Sequence, residues 1–349
     1  MPPNKPLLAV PNVSEGRTQA TVKAIAQAFT AHALARLLDV HSDEDHHRSV
    51  FTLAGVQGEL SRALLVGAGA AVGQIDVGGG RDPKDVGEHP HVGAVDVMPL
   101  VYLEEAQRGA ACAEALVVAH EIGERLKVPV FLYGELAQGR TRAELRRGGQ
   151  ARLAERMAAG ELRPDFGPER LHPTAGATLV AAREPLVAFN LELAVPAAIE
   201  DARRIASLIR EGGPEGLPGV RAIGVPLRRG GRGERASRGG VEVARERDLA
   251  WTHETGGAGD IQSREGVPYA RAQGVPFEEL QRAQVSMNVE RPLEVPLRVV
   301  VEAVRKHAEI IQAELVGLAP KVALEGFPED VALAGFDPGV HTIENALGF

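Results

Sequence analysis

Among 349 residues there is one cysteine, one tryptophan and three tyrosines. With Cys112 alone, neither an internal disulfide framework nor a paired-cysteine metal motif can form. That cysteine lies in "AQRGAACAEALVVAHEI", a helix-like stretch where it reads as a small buried hydrophobe. No apolar run approaches the length of about 20 residues needed to cross a bilayer. The opening "MPPNKPLLAVPN" lacks the charged start, apolar core and cleavage site of a secretory signal. A surplus of positive charge is missing as well. Lys and Arg number 39 against 47 Asp and Glu, a net charge of −8, which argues against a general nucleic-acid surface. The expectation is a cytoplasmic protein that binds neither membrane nor nucleic acid.

What is present is a chain that is 44% hydrophobic, with 40 glycines and 23 prolines, ample for a large core broken by many turns. Strand and helix signals alternate. "LLAVPNVS", "ARLLDVHS", "HRSVFTLAG" and "AVDVMPLVYL" read as strands. Val22, Ile25 and Phe29 mark one helix, and Leu60 to Ile75 keep helical spacing in another. A long alanine-rich helix is predicted over 104–127, followed by the strand "VPVFLYGE". The second half repeats the alternation. "GATLVAARE" and "PLVAFNLELA" read as neighbouring strands, then come a helix on Ala202, Ile205, Ala206 and Ile209, "VRAIGVPL" and "AQVSMNV". A helix follows over 297–312 with Val300, Val304, His307 and Ile311 on one face, and "AELVGLAP" closes the unit. The expected class is α/β (α+β): two ferredoxin-like sandwich subdomains, 1–180 and 181–349, with a ligand cleft between them. A Gly/Arg-rich insertion at about 228–280, opening on "RRGGRGERASRGG", interrupts the second. It reads as a flexible loop rather than an RNA-binding repeat, having acidic residues and only Trp251 as a nearby aromatic.

Three segments invite chemistry. Gly67, Ala68, Gly69 and Gly73 resemble a dinucleotide-binding turn, but helical periodicity runs unbroken through them, so close helix packing is the better reading. "HSDEDHHR", 41–48, offers three imidazoles and three carboxylates, either a divalent-ion site or an ordinary polar turn; no spacing signature decides, and no metal is assigned. "DVGEHPHVGAVDV" holds His89 between Glu88 and Pro90. Pro90 restricts His89 to extended backbone, and Glu88 favours its imidazolium. Metal ligand, catalytic base and turn decoration all stay open on the residues alone.

The ordered blocks "VPNVSEGR", "LLDVHSDEDHHRSVFTLAG", "GEHPHVGAVDV", "VPVFLYGE", "PDFGPERLHPTAGAT", "VAFNLEL", "QVSMNV" and "AELVGLAP" resemble the glutamate formimidoyltransferases, in a stand-alone form without a cyclodeaminase domain. The resemblance implies transfer of a formimino group from N-formimino-L-glutamate to N5 of tetrahydrofolate, the acceptor substrate, by a homodimer without metal. It implies His89 as the catalytic base. It also implies a folate-binding stretch from Gly167 to Gly176, namely Gly167, Pro168, Glu169, Arg170, Leu171, His172, Pro173, Thr174, Ala175 and Gly176. Arg48 is a candidate for a substrate carboxylate, or else a salt-bridge partner of Asp43 or Glu44. Three positions depart from the family pattern: His41 stands for an acid, His47 for an asparagine and Glu192 for an asparagine. Asp39, His41 and Glu88 are therefore the candidates for orienting the base. Two alternatives accompany this reading: another formyl or formimino donor, or a folate-binding protein without turnover.

Overall fold

A computed structural model describes residues 6–31, 35–44, 46–78, 91–194, 196–227 and 282–348. Two sheets organise them.

The first sheet is built from a ferredoxin-like unit. Its opening strand is broken into β1 (Leu7–Ala9) and β2 (Asn12–Val13), with Pro11, which has no N–H to donate, in the gap. Then come α1 (Gln19–Phe29), β3 (Arg36–Asp43), β4 (Arg48–Gly55), α2 (Leu60–Gln74) and β5 (Val95–Val101). Both pieces of the first strand pair with β4 and with β5, and β3 lies outside β4. A helical segment follows: α3 (Arg108–Glu121) runs on into a π turn at Ile122–Leu126. After β6 (Val130–Leu132), two short helices, α4 (Arg142–Arg146) and α5 (Gly149–Ala158), lead to β7 (Thr178–Arg183). β7 pairs parallel to both β5 and β6, widening the sheet on that edge.

The second sheet contains β8 (Val187–Leu193), β9 (Val220–Leu227), β10 (Arg282–Val289) and β11 (Ile310–Val316), in the order β11-β8-β10-β9. The helices α6 (Ile199–Ile209) and α7 (Leu297–Arg305) complete the β-α-β-β-α-β pattern. A short β12 (Ala332–Leu333) lies parallel outside β11, and α8 (Ile343–Leu347) follows. The expected α/β class with two ferredoxin-like units holds. Two local expectations do not. β7 and β8 are consecutive but belong to different sheets. The helix predicted through 312 stops at Arg305, because Ile310–Val316 instead pairs with β8. Tertiary pairing thus overrides a spacing that happened to fit a helix.

Period-two alternation explains how the second sheet divides its faces. Val187, Phe189, Leu191, Leu193, Val285, Met287 and Leu315 join the core under α6 and α7. The alternate positions on these strands, Asn190, Glu192, Gln284, Ser286 and Glu314, form a polar face. In the first sheet, the apolar stripes of α1, α2 and α3 cover Phe51, Leu53, Val95 and Leu100. Within α2 the glycines serve packing: a Cβ on Gly67 would stand 2.0 Å from the Phe29 ring of α1. Such an approach needs glycine, and no strand ends at Gly67, so the nucleotide reading of this segment falls away.

Candidate functional site

A register shift in β3 positions the acidic and histidine side chains. Leu37 pairs with Leu53 and points to the core, but a bulge follows and Asp39 pairs with Thr52. One extra residue exchanges the two faces of a strand. As a result Asp39, His41 and Asp43 turn away from the core, alongside Thr52, Val50 and Arg48 of β4. They look toward the polar face of the second sheet. His41 Nε2 lies 3.5 Å from Glu314 Oε1, and His46 Nε2 lies 3.5 Å from the side-chain amide nitrogen of Gln284.

The space between the sheets is a cavity of about 1460 Å³. Asn12, Val97 and Pro99 contribute to one wall, and Ala188, Asn190 and Ser286 to the other. Its rim and floor are rich in guanidinium groups, including Arg48, Arg142, Arg146 and Arg183.

One buried carboxylate holds two of them. Asp96, fully enclosed in β5, accepts from Arg48 Nη2 at 2.7 Å and also from Arg146 of α4. Its other oxygen accepts the Val92 backbone N–H at 2.9 Å. Burial by itself would raise the Asp96 carboxyl, but Arg146, Arg48 and the Val92 amide outweigh it and hold the carboxyl below its ordinary range. Burial pulls the Arg48 guanidinium down to about 10 despite Asp96, and burial does the same to Arg183, again to about 10. Both remain cationic at neutral pH. Arg48 also donates to Asn12 Oδ1 at 3.3 Å. Arg48 thus pairs with Asp96, a carboxylate that the sequence did not single out.

His41, Asp43, His46 and His47 of the histidine-rich segment are buried, while Glu44 is exposed. His46 Nδ1 lies 2.7 Å from Asp43 Oδ2, and the His46 backbone N–H donates to Asp43 Oδ1 at 3.0 Å. His47 takes a left-handed backbone, φ 48°, a conformation that Asn, Asp and His tolerate better than most residues. Its Nδ1 accepts the Gly16 N–H at 3.1 Å. Glu15 accepts the N–H groups of Thr18 and Arg17; these and His47 overcome the upward effect of burial and keep its carboxyl low.

Glu88 and His89 lie outside the described residues, as does the 228–280 insertion. The stretch from Gly167 to Gly176 runs along a different border of the first sheet and does not line the cavity. His172 and Gly176 close a tight turn between themselves, with His172 Nδ1 accepting the Ala175 N–H at 3.0 Å. This turn packs against Val77 and Gly78 on one side and Val92 and Gly93 on the other: Val77 N–H donates to Thr174 O, and Ala177 N–H to Val92 O. The described chain leaves at Gly78 and resumes at His91, so the turn adjoins both points. His41 and Arg48 are thus brought together at the cavity, with Asp39 two residues before His41 on the same strand, while the 167–176 stretch is separate from them. Sequence reasoning missed Asp96, Arg146 and Glu314. The signal for Asp96 was available, since an acid within the apolar run "VDVMPLV" must have a partner if that strand is buried.

Residues 7–183 match the formiminotransferase domain, N-terminal subdomain. The chain belongs to this family. A glutamate formimidoyltransferase of Streptococcus pyogenes serotype M1 is 37% identical over 221 residues, covering 62% of this chain and 72% of that protein. A protein of the same name from Thermoplasma acidophilum is 35% identical over 206 residues, 58% of this chain and 66% of that one. The formimidoyltransferase-cyclodeaminase of Rattus norvegicus is 38% identical over 227 residues, but the match spans only 40% of its length. Among the described residues of this formiminotransferase-family chain, no helix is long and apolar enough to cross a membrane.

Proposed function

We propose that the chain is a glutamate formimidoyltransferase, moving the formimino group of N-formimino-L-glutamate to N5 of tetrahydrofolate and releasing L-glutamate and 5-formiminotetrahydrofolate. Family membership over residues 7–183 carries this reading, and the names of the streptococcal and archaeal relatives agree with it. The guanidinium-lined cavity suits substrates that both bear carboxylates.

In the transfer, N5 attacks the electrophilic formimino carbon and must lose a proton. The tetrahedral species then breaks its bond to the glutamate nitrogen, which needs one. A histidine can take the first proton and supply the second, and the family resemblance gives that role to His89. Asp39, His41 and Glu88 are the groups proposed to orient it. Arg48 is proposed for a substrate carboxylate, its fork steadied by Asp96 and Asn12. Gly167 to Gly176 are proposed to bind folate. Alignment of the two substrates contributes beside the proton transfers, and the transfer itself needs no metal. We further propose the division at 1–180 and 181–349, a homodimer and a cytoplasmic location.

The test is turnover of formiminoglutamate with tetrahydrofolate by wild type and His89→Ala. Wild-type turnover lost in the variant supports the reading. Turnover only with other formyl or formimino donors replaces the donor. Folate binding without turnover in either protein replaces the enzyme with a folate-binding protein.

A further inference from the structure

We infer that His41, Asp43 and Glu314 form a binding site for one first-row divalent transition-metal ion that ties β3 of the first sheet to β11 of the second. Each of the three residues offers one ligand atom, and these atoms all lie within 4.8 Å of one another. The site is enclosed: His41 is 7% exposed, Asp43 6% and Glu314 12%.

The geometry favours a shared ion over a simple ion pair. His41 Nε2 and Glu314 Oε1 are 3.5 Å apart, whereas a charge-assisted N–H···O bond closes to about 2.7–2.9 Å. Two donors bound at about 2.1 Å to one tetrahedral ion stand about 3.4 Å apart. His41 and Asp43 are two residues apart on one strand, so they present their side chains to the same side. Glu314 meets them from the opposing sheet. Outer contacts orient the donors, as they do around metal ligands generally. Asn190 Nδ2 donates to Glu314 Oε2 at 3.1 Å, leaving Oε1 toward His41. His46 holds Asp43 through its ring and its backbone N–H. One imidazole with two carboxylates fits Zn²⁺, Co²⁺ or Mn²⁺ better than a thiolate-seeking ion.

The full chain, stripped with a chelator, is titrated with Co²⁺ and with Zn²⁺ and followed by visible absorption, metal content per chain and thermal melting. The proposal expects ligand-field absorption from Co²⁺, its displacement by Zn²⁺, one ion per chain and a higher melting temperature. Glu314→Gln, which retains the Asn190 contact and nearly the same shape, should weaken Zn²⁺ binding by more than tenfold. Asn190→Ala, which removes only an orienting contact, should weaken it by roughly tenfold. Near-ultraviolet circular dichroism shows whether each variant is folded, and His41→Asn supplies a second ligand deletion should one of them fail. Absence of a Co²⁺ spectrum together with no Zn²⁺ effect on melting overturns the proposal. So does unchanged Zn²⁺ affinity in folded Glu314→Gln or His41→Asn, which would put the ion elsewhere.

Discussion

Replacing Asp96 by asparagine changes one atom's chemistry and leaves the shape of β5 intact, yet it removes a carboxylate that Arg48 and Arg146 share. Asparagine can still accept the Val92 N–H through its side-chain oxygen, so that bond survives. The cost comes from two guanidiniums left facing one another without the anion between them. Removing one partner of a buried ion pair costs about 3–5 kcal/mol. Both arginines border the cavity and water can reach them in part, so about 3 kcal/mol is the expected loss. For a chain of this size each kcal/mol corresponds to about 2 °C in melting temperature, giving a drop of about 6 °C by calorimetry. Two further measurements isolate the cause. Formate or sulfate, able to occupy the place between the guanidiniums, should recover part of the loss in Asp96→Asn and do little for wild type. Adding Arg146→Met should make the double variant more stable than the sum of the two single effects. A melting temperature for Asp96→Asn within about 1 °C of wild type, with no anion response, would refute the account of Asp96 as the counter-charge of this wall.

Asp96 and Glu15 both have lowered carboxyl values in the fold. The unfolded chain therefore takes up their protons first on acidification: their stabilisation is complete above the ordinary carboxylate range, begins to fade near pH 4 and is gone below the folded values. Urea midpoints measured from pH 6 to pH 2 should fall more gently in Asp96→Asn than in wild type. Glu114 of α3 accepts the N–H groups of Gly58 and Ser61 at 2.8 and 2.6 Å, one on each carboxylate oxygen, capping the start of α2 from another helix; Glu114→Ala should cost about 1–3 kcal/mol in urea denaturation, and Glu114→Gln should recover only part of that, because its single amide oxygen accepts one of the two N–H groups. Gly67→Ala should destabilise by about 1–3 kcal/mol, because its methyl meets the Phe29 ring; in the Phe29→Leu background the same change should cost less.

The fold was legible where side-chain periodicity and burial agree. Phe189, Leu191 and Leu193 alternate with residues of the opposite face, and Val22, Ile25 and Phe29 line one helical stripe. It was less legible where local spacing is ambiguous. Val300, Val304, His307 and Ile311 fit a helix, but sheet pairing takes over from Ile310. α4 went unnoticed although its capping box, Thr141 with Glu144, is a readable signature. The site was legible as a set of residue types and not as an arrangement. The bulge that turns Asp39, His41 and Asp43 toward the second sheet leaves no periodic trace, and Glu314 is 271 positions from Asp43, so only tertiary structure can bring them together. Arg48 pairs with Asp96 of β5, 48 positions away, a partner that no local spacing announces.

The hairpin of β9 and β10 keeps strict register up to its last pair, Leu227 opposite Arg282. Everything from 228 to 281 therefore leaves and re-enters the sheet at a single pair of facing residues. Chain length added there costs only slowly growing closure entropy, about 0.6 kcal/mol per doubling. The fold thus carries a docking port for foreign sequence: cutting the segment back to a tight two-residue turn, or splicing a small independent domain in its place, should leave the five-stranded sheet standing.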